Sequence, residues 1–290
     1  MDQVTIGFVG LGMMGAPMAR CLARAGYVLL LKDVNTERTV ELCAELGARE
    51  LTDETVGELD VLITMLPSSD SVEDVLLTQG WGDKLMNGAT VIDMSSSSPV
   101  RSRNLGDRLK EKGLGYLDAP VSGGVKRAVE GTLAILVGGS VPLRNKWQPI
   151  LEAMGGSILH IGEAGAGHAA KALNNFVSAS GLLATVEALH VAERFGIAPE
   201  VMTSVLNASS GRTNTSENKV EQFMLSGTYA SGFSLHLMDK DLGIARDLAA
   251  SLSYPLRLGQ HSIALWHEIA VSVDASTDHT QMYALLAEED

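Results

Sequence analysis

The feature that most constrains the fold is a glycine-rich turn near the start of the chain. Residues 4–9 form an apolar segment typical of a buried strand, and it runs directly into Gly10, Gly12 and Gly15 and then into an alanine-rich helix. In this order Gly10 allows a tight turn, Gly12 lets the backbone approach a pyrophosphate, and Gly15 lets the helix pack closely on the sheet. The pattern predicts a dinucleotide-binding unit with the anion at the helix N-terminus.

An acidic residue follows the second apolar segment. Residues 27–31 read as a strand, and Asp33 stands directly beyond its end. A carboxylate at this position accepts hydrogen bonds from the ribose 2′-hydroxyl and repels a 2′-phosphate, which favours NAD over NADP. Lys32 and Arg38 lie nearby and weaken this preference, although we interpret them as a solvated strand end and a solvated helix face.

Charge and apolar segments narrow the range of partners. The 290-residue chain has a net charge of −13, which argues against nucleic acid as a partner but allows a small anionic substrate at a locally positive site. No apolar run reaches the roughly 18 residues of a membrane-spanning helix, and the first strand begins too early to leave room for a signal peptide. Cys21 and Cys43 lack metal-ligand spacing and are expected as buried or half-buried thiols. We therefore expect a cytoplasmic protein without a membrane partner.

The first half of the chain alternates strand and helix patterns. Further strands are expected at residues 60–66, 89–94, 115–119 and 133–137, with a short edge strand at 158–161, and helical segments such as 36–46 and 100–112 separate them. This alternation predicts a mostly parallel sheet covered by helices on both faces.

The second half has a different pattern. Residues 169–192 are rich in Ala, Leu and Val at helical spacing, and Gly196 fits the position just past a helix C-terminus. Later segments also have helical spacing, at 199–207, 235–252, 255–270 and 280–287. We predict an α/β Rossmann-type N-terminal domain, residues 1–164, and an all-α C-terminal domain led by a long interdomain helix, residues 165–290.

Polar residues collect where the predicted strands end. Ligands of an open α/β sheet bind beyond the carboxyl ends of the strands, and Ser95 and Ser96 follow one of them there. Ser122, Gly123 and Gly124 follow the next strand and offer a hydroxyl and closely spaced N–H groups. These three residues form either a carboxylate-binding turn or simply a flexible one.

The long predicted helix carries one polar stripe. Lys171, Asn174, Asn175 and Ser178 share a face, while their neighbours are apolar. Partial desolvation among these neighbours would lower the pKa of Lys171 towards the range useful for proton transfer. The alternative is a lysine whose stem packs on the helix while its ammonium reaches water.

With these motifs in place, the chain resembles the β-hydroxyacid dehydrogenase family, which includes 3-hydroxyisobutyrate dehydrogenase and tartronate semialdehyde reductase. The resemblance covers essentially the whole length. Four ordered motifs carry it: the glycine turn from Gly7 to Gly15, the segment from Asp118 to Gly124, Gly165-x-Gly167-x-x-x-Lys171-x-x-Asn174-Asn175, and Lys240-Asp241-Leu242.

The resemblance implies roles for particular residues. Lys171 is implied as the general acid and base and Asn175 as the residue that holds the substrate. The other substrate-binding positions are Ser122, Gly123, Gly124, Asn174 and Phe233. The cofactor-binding positions are Gly10, Leu11, Gly12, Met13, Met14, Gly15, Asp33, Leu66, Pro67, Ser96 and Lys240. Ser96 stands where the family usually has threonine, which keeps the hydroxyl but packs less.

The expected function is transfer of a hydride between NAD and a small 3-hydroxy acid, with Lys171 moving the hydroxyl proton and no metal involved. Two alternatives stay open: a semialdehyde reductase of the same family, and a cofactor-binding module without catalysis. Imine reductases share the architecture but lack a lysine at this helix position. The apolar helix 169–192 also predicts a homodimer or homotetramer, because one small helical domain cannot easily cover it.

Overall fold

The structure, a computed structural model, describes residues 4–287. It divides into two compact units: unit 1, which ends at Lys171, and unit 2, which begins at Ala172. A single helix, α8 (Ala166–Phe195), runs through the division. The domain boundary expected after residue 164 remains a prediction.

Unit 1 alternates strands and helices. Its strands are β1 (Thr5–Val9), β2 (Val28–Lys32), β3 (Arg49–Glu50), β4 (Val61–Thr64), β5 (Thr90–Asp93), β6 (Gly115–Asp118), β7 (Val121–Ser122), β8 (Leu133–Gly138) and β9 (Gly155–Gly162). Its helices before α8 are α1 (Gly15–Arg24), α2 (Thr36–Leu46), α3 (Ser69–Glu73), α4 (Trp81–Lys84), α5 (Pro99–Glu111), α6 (Gly124–Glu130) and α7 (Val141–Met154). A 3₁₀ turn at Val56–Glu58 and a π-helical turn at Asp74–Thr78 complete the unit.

The strand order explains where a ligand can bind. Strands β3-β2-β1-β4-β5-β6 are parallel neighbours in that order, as in doubly wound dinucleotide-binding sheets. Strand β8 runs antiparallel to β6 and β7, and β9 pairs in parallel with β8. The order reverses between β1 and β4, so their carboxyl ends border the crevice where such sheets bind ligands. The Rossmann-type prediction is confirmed.

Both faces of the central strands are buried. In β2, Leu29 and Leu31 pack into one hydrophobic cluster while Leu30 packs into the other, and β4 alternates in the same way. A strand covered on both faces reads as a continuous apolar run, which is why the sequence pattern located these strands.

The edge strands were harder to recognise. The prediction of a short strand at 158–161 is wrong in length, because β9 spans eight residues, although it does lie at an edge. The two-residue strands β3 and β7 were missed. Most side chains of β3 and β9 are exposed, so these strands lack the apolar signal of the central ones.

Unit 2 is helical around Trp266, which is fully buried. Besides most of α8, its helices are α9 (Pro199–Ala208), α10 (Asn214–Asn218), α11 (Leu235–Ser251), α12 (Gly259–Ser272) and α13 (Met282–Leu285), with a π-helical turn at Val220–Leu225 and a 3₁₀ turn at His279–Gln281. Its described residues contain no strand, only a bridge between Ser234 and Asp278. Helix α12 begins at Gly259 rather than at the expected residue 255, because residues 254–256 are irregular between two short turns, and Ser253 in the first of these has a positive φ.

Within residues 4–287, no helix combines the length and the apolar character needed to cross a bilayer.

Candidate active site

The glycine turn has the geometry that a dinucleotide requires. Gly10 has a φ of +97°, and a Cβ there would collide with the carbonyl oxygen of Met65. A Cβ on Gly15 would collide with the carbonyl of Gly10, whereas a Cβ on Gly12 would meet nothing within 4 Å. No side chain of the described residues caps the N-terminus of α1. Open backbone at a helix N-terminus suits a pyrophosphate, so these residues fit a dinucleotide.

Asp33 lies beside this turn, at the carboxyl end of β2. Its Oδ2 accepts a hydrogen bond from the N–H of Leu11 at 2.6 Å and its Oδ1 accepts one from Asn35 at 2.9 Å. The carboxylate is thereby oriented by the turn itself. Lys32 pairs with Glu50 at 3.0 Å, in keeping with its interpretation as part of a solvated strand end.

The residues that follow β4 and β5 divide into structural and accessible ones. The buried Ser95 hydroxyl accepts a hydrogen bond from the N–H of Leu66 at 2.9 Å, and the buried Ser97 hydroxyl donates to Asp93 at 2.9 Å. Ser96 is half-buried and Pro67 is exposed. The structure thus brings Leu66 and the serine segment together, while a cofactor role for Leu66, Pro67 and Ser96 stays a prediction.

A buried polar cluster holds the first turn of α8. The carboxylate of Asp118, at the end of β6, accepts hydrogen bonds from the N–H groups of Gly165 at 2.7 Å and His168 at 2.8 Å. The His168 ring contacts the Ser95 carbonyl through Nε2 at 3.1 Å and the Ser102 hydroxyl through Nδ1 at 2.8 Å. Both Asp118 and His168 are at most 1% exposed. The start of α8 is therefore anchored to the strand ends of unit 1.

Lys171 follows this cluster by one helical turn and is half-buried. Leu173 and Val177, two of the apolar residues that flank the polar stripe, are 43% and 67% exposed in the single chain. Lysine and asparagine nevertheless remain one turn apart on a regular helix, since α8 continues without interruption to Phe195.

In unit 2, Asn175 is buried and held by a second acid. Its Nδ2 donates to Oδ2 of Asp241 at 2.6 Å, and its Oδ1 accepts from the exposed Asn174 at 3.3 Å. Asp241 is 2% exposed, and its other oxygen lies 3.6 Å from the ammonium of Lys240. The late motif therefore brings Lys240 and Asp241 to the Asn174–Asn175 pair.

The remaining predicted substrate residues lie in both units. In unit 1, Ser122 ends β7, and the exposed Gly123 and Gly124 lead into α6 with φ values of +131° and +68°. The two glycines permit a backbone turn that other residues rarely adopt. In unit 2, the half-buried Phe233 precedes α11 and packs edge-on against His279, with ring centroids 5.7 Å apart.

The sequence analysis left three structural residues without a role. Asp118 and Asp241 belong to the quoted motifs, but only the structure reveals that they orient His168 and Asn175. His168 was passed over entirely. For Asp118 the available signal was its position directly after an apolar segment, because a buried carboxylate needs hydrogen-bond donors.

Two further observations concern ligands. A groove of about 700 Å³ in unit 2 lies along α11 and α12, and its lining includes Arg246, Tyr254 and His267 but none of the predicted site residues. The described residues contain no group of three or more His, Cys, Asp or Glu side chains that could hold a metal ion.

Comparison with known proteins agrees with this geometry. Residues 5–162 match a family model described as the NAD binding domain of 6-phosphogluconate dehydrogenase, and residues 165–286 match one described as NAD-binding of NADP-dependent 3-hydroxyisobutyrate dehydrogenase. The chain is 39% identical to 2-(hydroxymethyl)glutarate dehydrogenase of Eubacterium barkeri, over 88% of this chain and 85% of that protein.

Two further relatives match almost the whole chain. Mitochondrial 3-hydroxyisobutyrate dehydrogenase of Mus musculus is 36% identical over 100% of this chain and 89% of its own length. The structure of Mycobacterium tuberculosis 3-hydroxyisobutyrate dehydrogenase with L-serine has a TM-score of 0.91 and 34% identity, covering 98% of this chain and 99% of that one. Because the chain has a dinucleotide-binding turn and matches these relatives over almost its whole length, it belongs to the β-hydroxyacid dehydrogenase family. It is a dehydrogenase of hydroxy acids that uses a nicotinamide cofactor.

Proposed function

We propose that this chain transfers a hydride between NAD and a small 3-hydroxy acid, with Lys171 as the general acid and base. The observation that carries the proposal is the arrangement along α8. Lys171 lies one helical turn after His168, whose backbone N–H donates to Asp118, and one turn before Asn175. The amide of Asn175 donates to Asp241 at 2.6 Å. Two polar side chains one turn apart on the same helix suit a reaction that requires an aligned proton acceptor.

The bound nicotinamide would supply the acceptor for the hydride. Lys171 would take the hydroxyl proton of the substrate during oxidation and return it during reduction, and its ammonium would stabilise the developing alkoxide. Asn175 would hold the substrate, and the hydroxyl of Ser122 with the N–H groups of Gly123 and Gly124 would bind its carboxylate. The reverse reaction, reduction of a semialdehyde, would use the same residues in the same roles.

Replacement of Lys171 by alanine tests this proposal. We expect a fall in kcat of about 10²–10⁴-fold, because the proton acceptor is lost, with nearly unchanged NADH affinity by fluorescence titration. The matched control is Lys126→Ala, which removes an exposed lysine of unit 1. A panel of hydroxy acids with three to six carbons identifies the substrate. Near-normal turnover of the Lys171 variant at every pH would overturn the assignment, and a wild-type protein that oxidises none of the acids would favour the non-catalytic alternative.

The preference for NAD is proposed from Asp33. Its carboxylate would accept hydrogen bonds from the ribose and repel a 2′-phosphate. We expect a higher kcat/KM with NAD than with NADP in the wild type and a smaller ratio in Asp33→Asn. A wild-type preference for NADP would refute this proposal.

A homodimer or homotetramer is proposed from one face of α8. Four large apolar side chains at compatible helical positions are between 43% and 83% exposed in the single chain: Leu173, Val177, Val191 and Phe195. An exposed apolar row of this length is typical of a subunit interface. Light scattering coupled to gel filtration should give a multiple of 30.7 kDa, whereas a monomer at micromolar concentration would contradict the proposal.

A further inference from the structure

Unit 2 contains a buried histidine with an unusual partner. His279 is 3% exposed and begins the 3₁₀ turn His279–Gln281. Its Nε2 lies 3.0 Å from the Nζ of Lys219, and its Nδ1 lies 2.9 Å from the carbonyl oxygen of Phe233. A lysine ammonium can only donate and a carbonyl can only accept. The ring is therefore neutral, with its hydrogen on Nδ1 directed at Phe233.

The surroundings of the pair agree with this assignment. Burial, followed by the charge of Lys219, lowers the pKa of His279 to about 4. Burial also lowers the pKa of Lys219 to about 8, against the opposing effect of Asp278. A neutral imidazole can accept the lysine N–H, whereas an imidazolium could not.

The segment around His279 holds Phe233 at several points. The Phe233 carbonyl accepts hydrogen bonds from both the backbone N–H and the Nδ1–H of His279, each at 2.9 Å. The N–H of Phe233 donates to Asp278 at 3.3 Å, and the two rings pack edge-on at 86°. Phe233 lies just before α11, which begins at Leu235. Its backbone and ring are thus held by Asp278 and His279, some 45 positions later in the chain.

We propose that Lys219 and His279 are positioning residues, which hold the Phe233 ring in place and thereby determine how the substrate side chain fits. This rests on the proposed function and on the substrate-binding position that the family resemblance implies for Phe233. Lys219 acts through His279. The lysine N–H donates to Nε2 of the ring, so the ring hydrogen stays on Nδ1 and faces the Phe233 carbonyl. Without that lysine, the other tautomer becomes accessible, and in it the Nδ1–H hydrogen bond to the Phe233 carbonyl is lost, while the backbone N–H of His279 still donates to that carbonyl.

Two substitutions of His279 separate its two hydrogen bonds. An asparagine side chain can place its N–H₂ near the position of Nδ1, whereas a glutamine side chain can place its oxygen near Nε2 and offers nothing at Nδ1. The third variant, Lys219→Met, keeps the length of the side chain and removes the donor. His190→Ala is the matched control, because His190 also contacts a carbonyl, that of Tyr283 at 2.9 Å, and stacks on a ring of unit 2.

The first readout is steady-state kinetics with the hydroxy acid that the wild type oxidises best. Loss of one hydrogen bond is expected to raise the KM for this acid by about tenfold in His279→Gln and Lys219→Met, with kcat and the KM for NAD within about twofold of wild type. His279→Asn should lie closer to wild type than His279→Gln. His190→Ala should leave the substrate KM unchanged.

The second readout is amide hydrogen exchange of residues 231–235, which does not depend on turnover. We expect faster exchange there in His279→Gln and Lys219→Met than in wild type or His190→Ala. The proposal would be overturned if His279→Gln were active with an unchanged substrate KM, or if His190→Ala changed the KM and the exchange as much as His279→Gln does. If the wild type oxidises no hydroxy acid, the proposed function and the substrate part of this inference are both overturned. If amide exchange of residues 231–235 is unchanged in His279→Gln and Lys219→Met, the positioning of Phe233 is overturned, whatever the kinetics show.

Discussion

Each unit contains a buried histidine with one ring nitrogen in contact with a main-chain carbonyl. The partner of the other ring nitrogen differs between the two units. In unit 1 the other ring nitrogen of His168 meets the Ser102 hydroxyl, and the carboxylates of Asp93 and Asp118 lie 3.8 and 3.7 Å from the ring. In unit 2 the other nitrogen of His279 meets the ammonium of Lys219. The carbonyl contacts the ring in both places. Two carboxylates lie near the ring in unit 1, whereas in unit 2 the ring lies between the ammonium of Lys219 and one carboxylate, that of Asp278, at 3.6 Å from Nδ1.

The difference has consequences for stability. Each buried acid of unit 1 accepts several hydrogen bonds; Asp93, for example, accepts from Thr64, Ser95 and Ser97. The cluster of unit 2 instead combines a half-buried cation with a histidine whose pKa is lowered, and the carboxylate of Asp278 partly offsets the lowering of the lysine pKa by burial. We therefore expect the first cluster to be sensitive to deletion and the second to pH.

The largest expected effect comes from Asp118→Ala. The substitution leaves the buried N–H groups of Gly165 and His168 without their acceptor, and we expect a loss of about 3–5 kcal/mol in the free energy of unfolding of unit 1. Denaturant unfolding, with hydrogen exchange to assign the loss to unit 1, measures it. Asp107→Ala removes an exposed acid from α5 as the control, and a loss below about 1 kcal/mol for Asp118→Ala would contradict the expectation.

The second effect is a pH dependence confined to unit 2. Because the folded pKa of His279 is about 4 and its ordinary value is 6.5, the unfolded chain binds the proton first as the pH falls. The contribution of the neutral ring is complete above pH 6.5 and is lost as the pH falls towards 4, by roughly 2 kcal/mol between pH 7 and pH 5. Unfolding of the wild type and His279→Gln at both pH values tests this, since the variant lacks that part of the loss. Equal losses would contradict it.

A further effect concerns Lys219 at alkaline pH. Its pKa is about 8 in the folded protein and 10.5 ordinarily, so between these values the unfolded chain binds more protons. Stability contributed by this group therefore rises as the pH increases from 8 to 10.5. In thermal unfolding, Lys219→Met should lack this rise and should show a weaker loss below pH 6.5, because the pKa of His279 is no longer lowered by the lysine charge. A variant that matches the wild type throughout both ranges would show that the two groups are not coupled.

The sequence predicted an element correctly where the residues that define it lie within a few positions of one another in the chain. Helix α2 was predicted with its observed bounds, because an asparagine cap, the apolar spacing and the terminal Gly47 all lie within a few positions. Strand β9 was underestimated, because its side chains face solvent and its pairing with β8 carries no apolar pattern. The polar stripe lies on a continuous helix, as its spacing predicted, but the exposure of Leu173 and Val177 depends on what packs there, which spacing does not encode.

The sequence by itself determined the glycine turn, the alternation of strands and helices, the change to an all-α second half and the family. These properties follow from backbone sterics and from apolar periodicity, which act over a few residues. Only the tertiary structure decided that Asp118 anchors α8, that Asp241 orients Asn175 and that Lys219 and His279 hold Phe233. These partners are 50, 66 and about 46–60 positions apart in the chain. A buried polar group must find a hydrogen-bond partner, and the packed fold alone decides which distant residue supplies it.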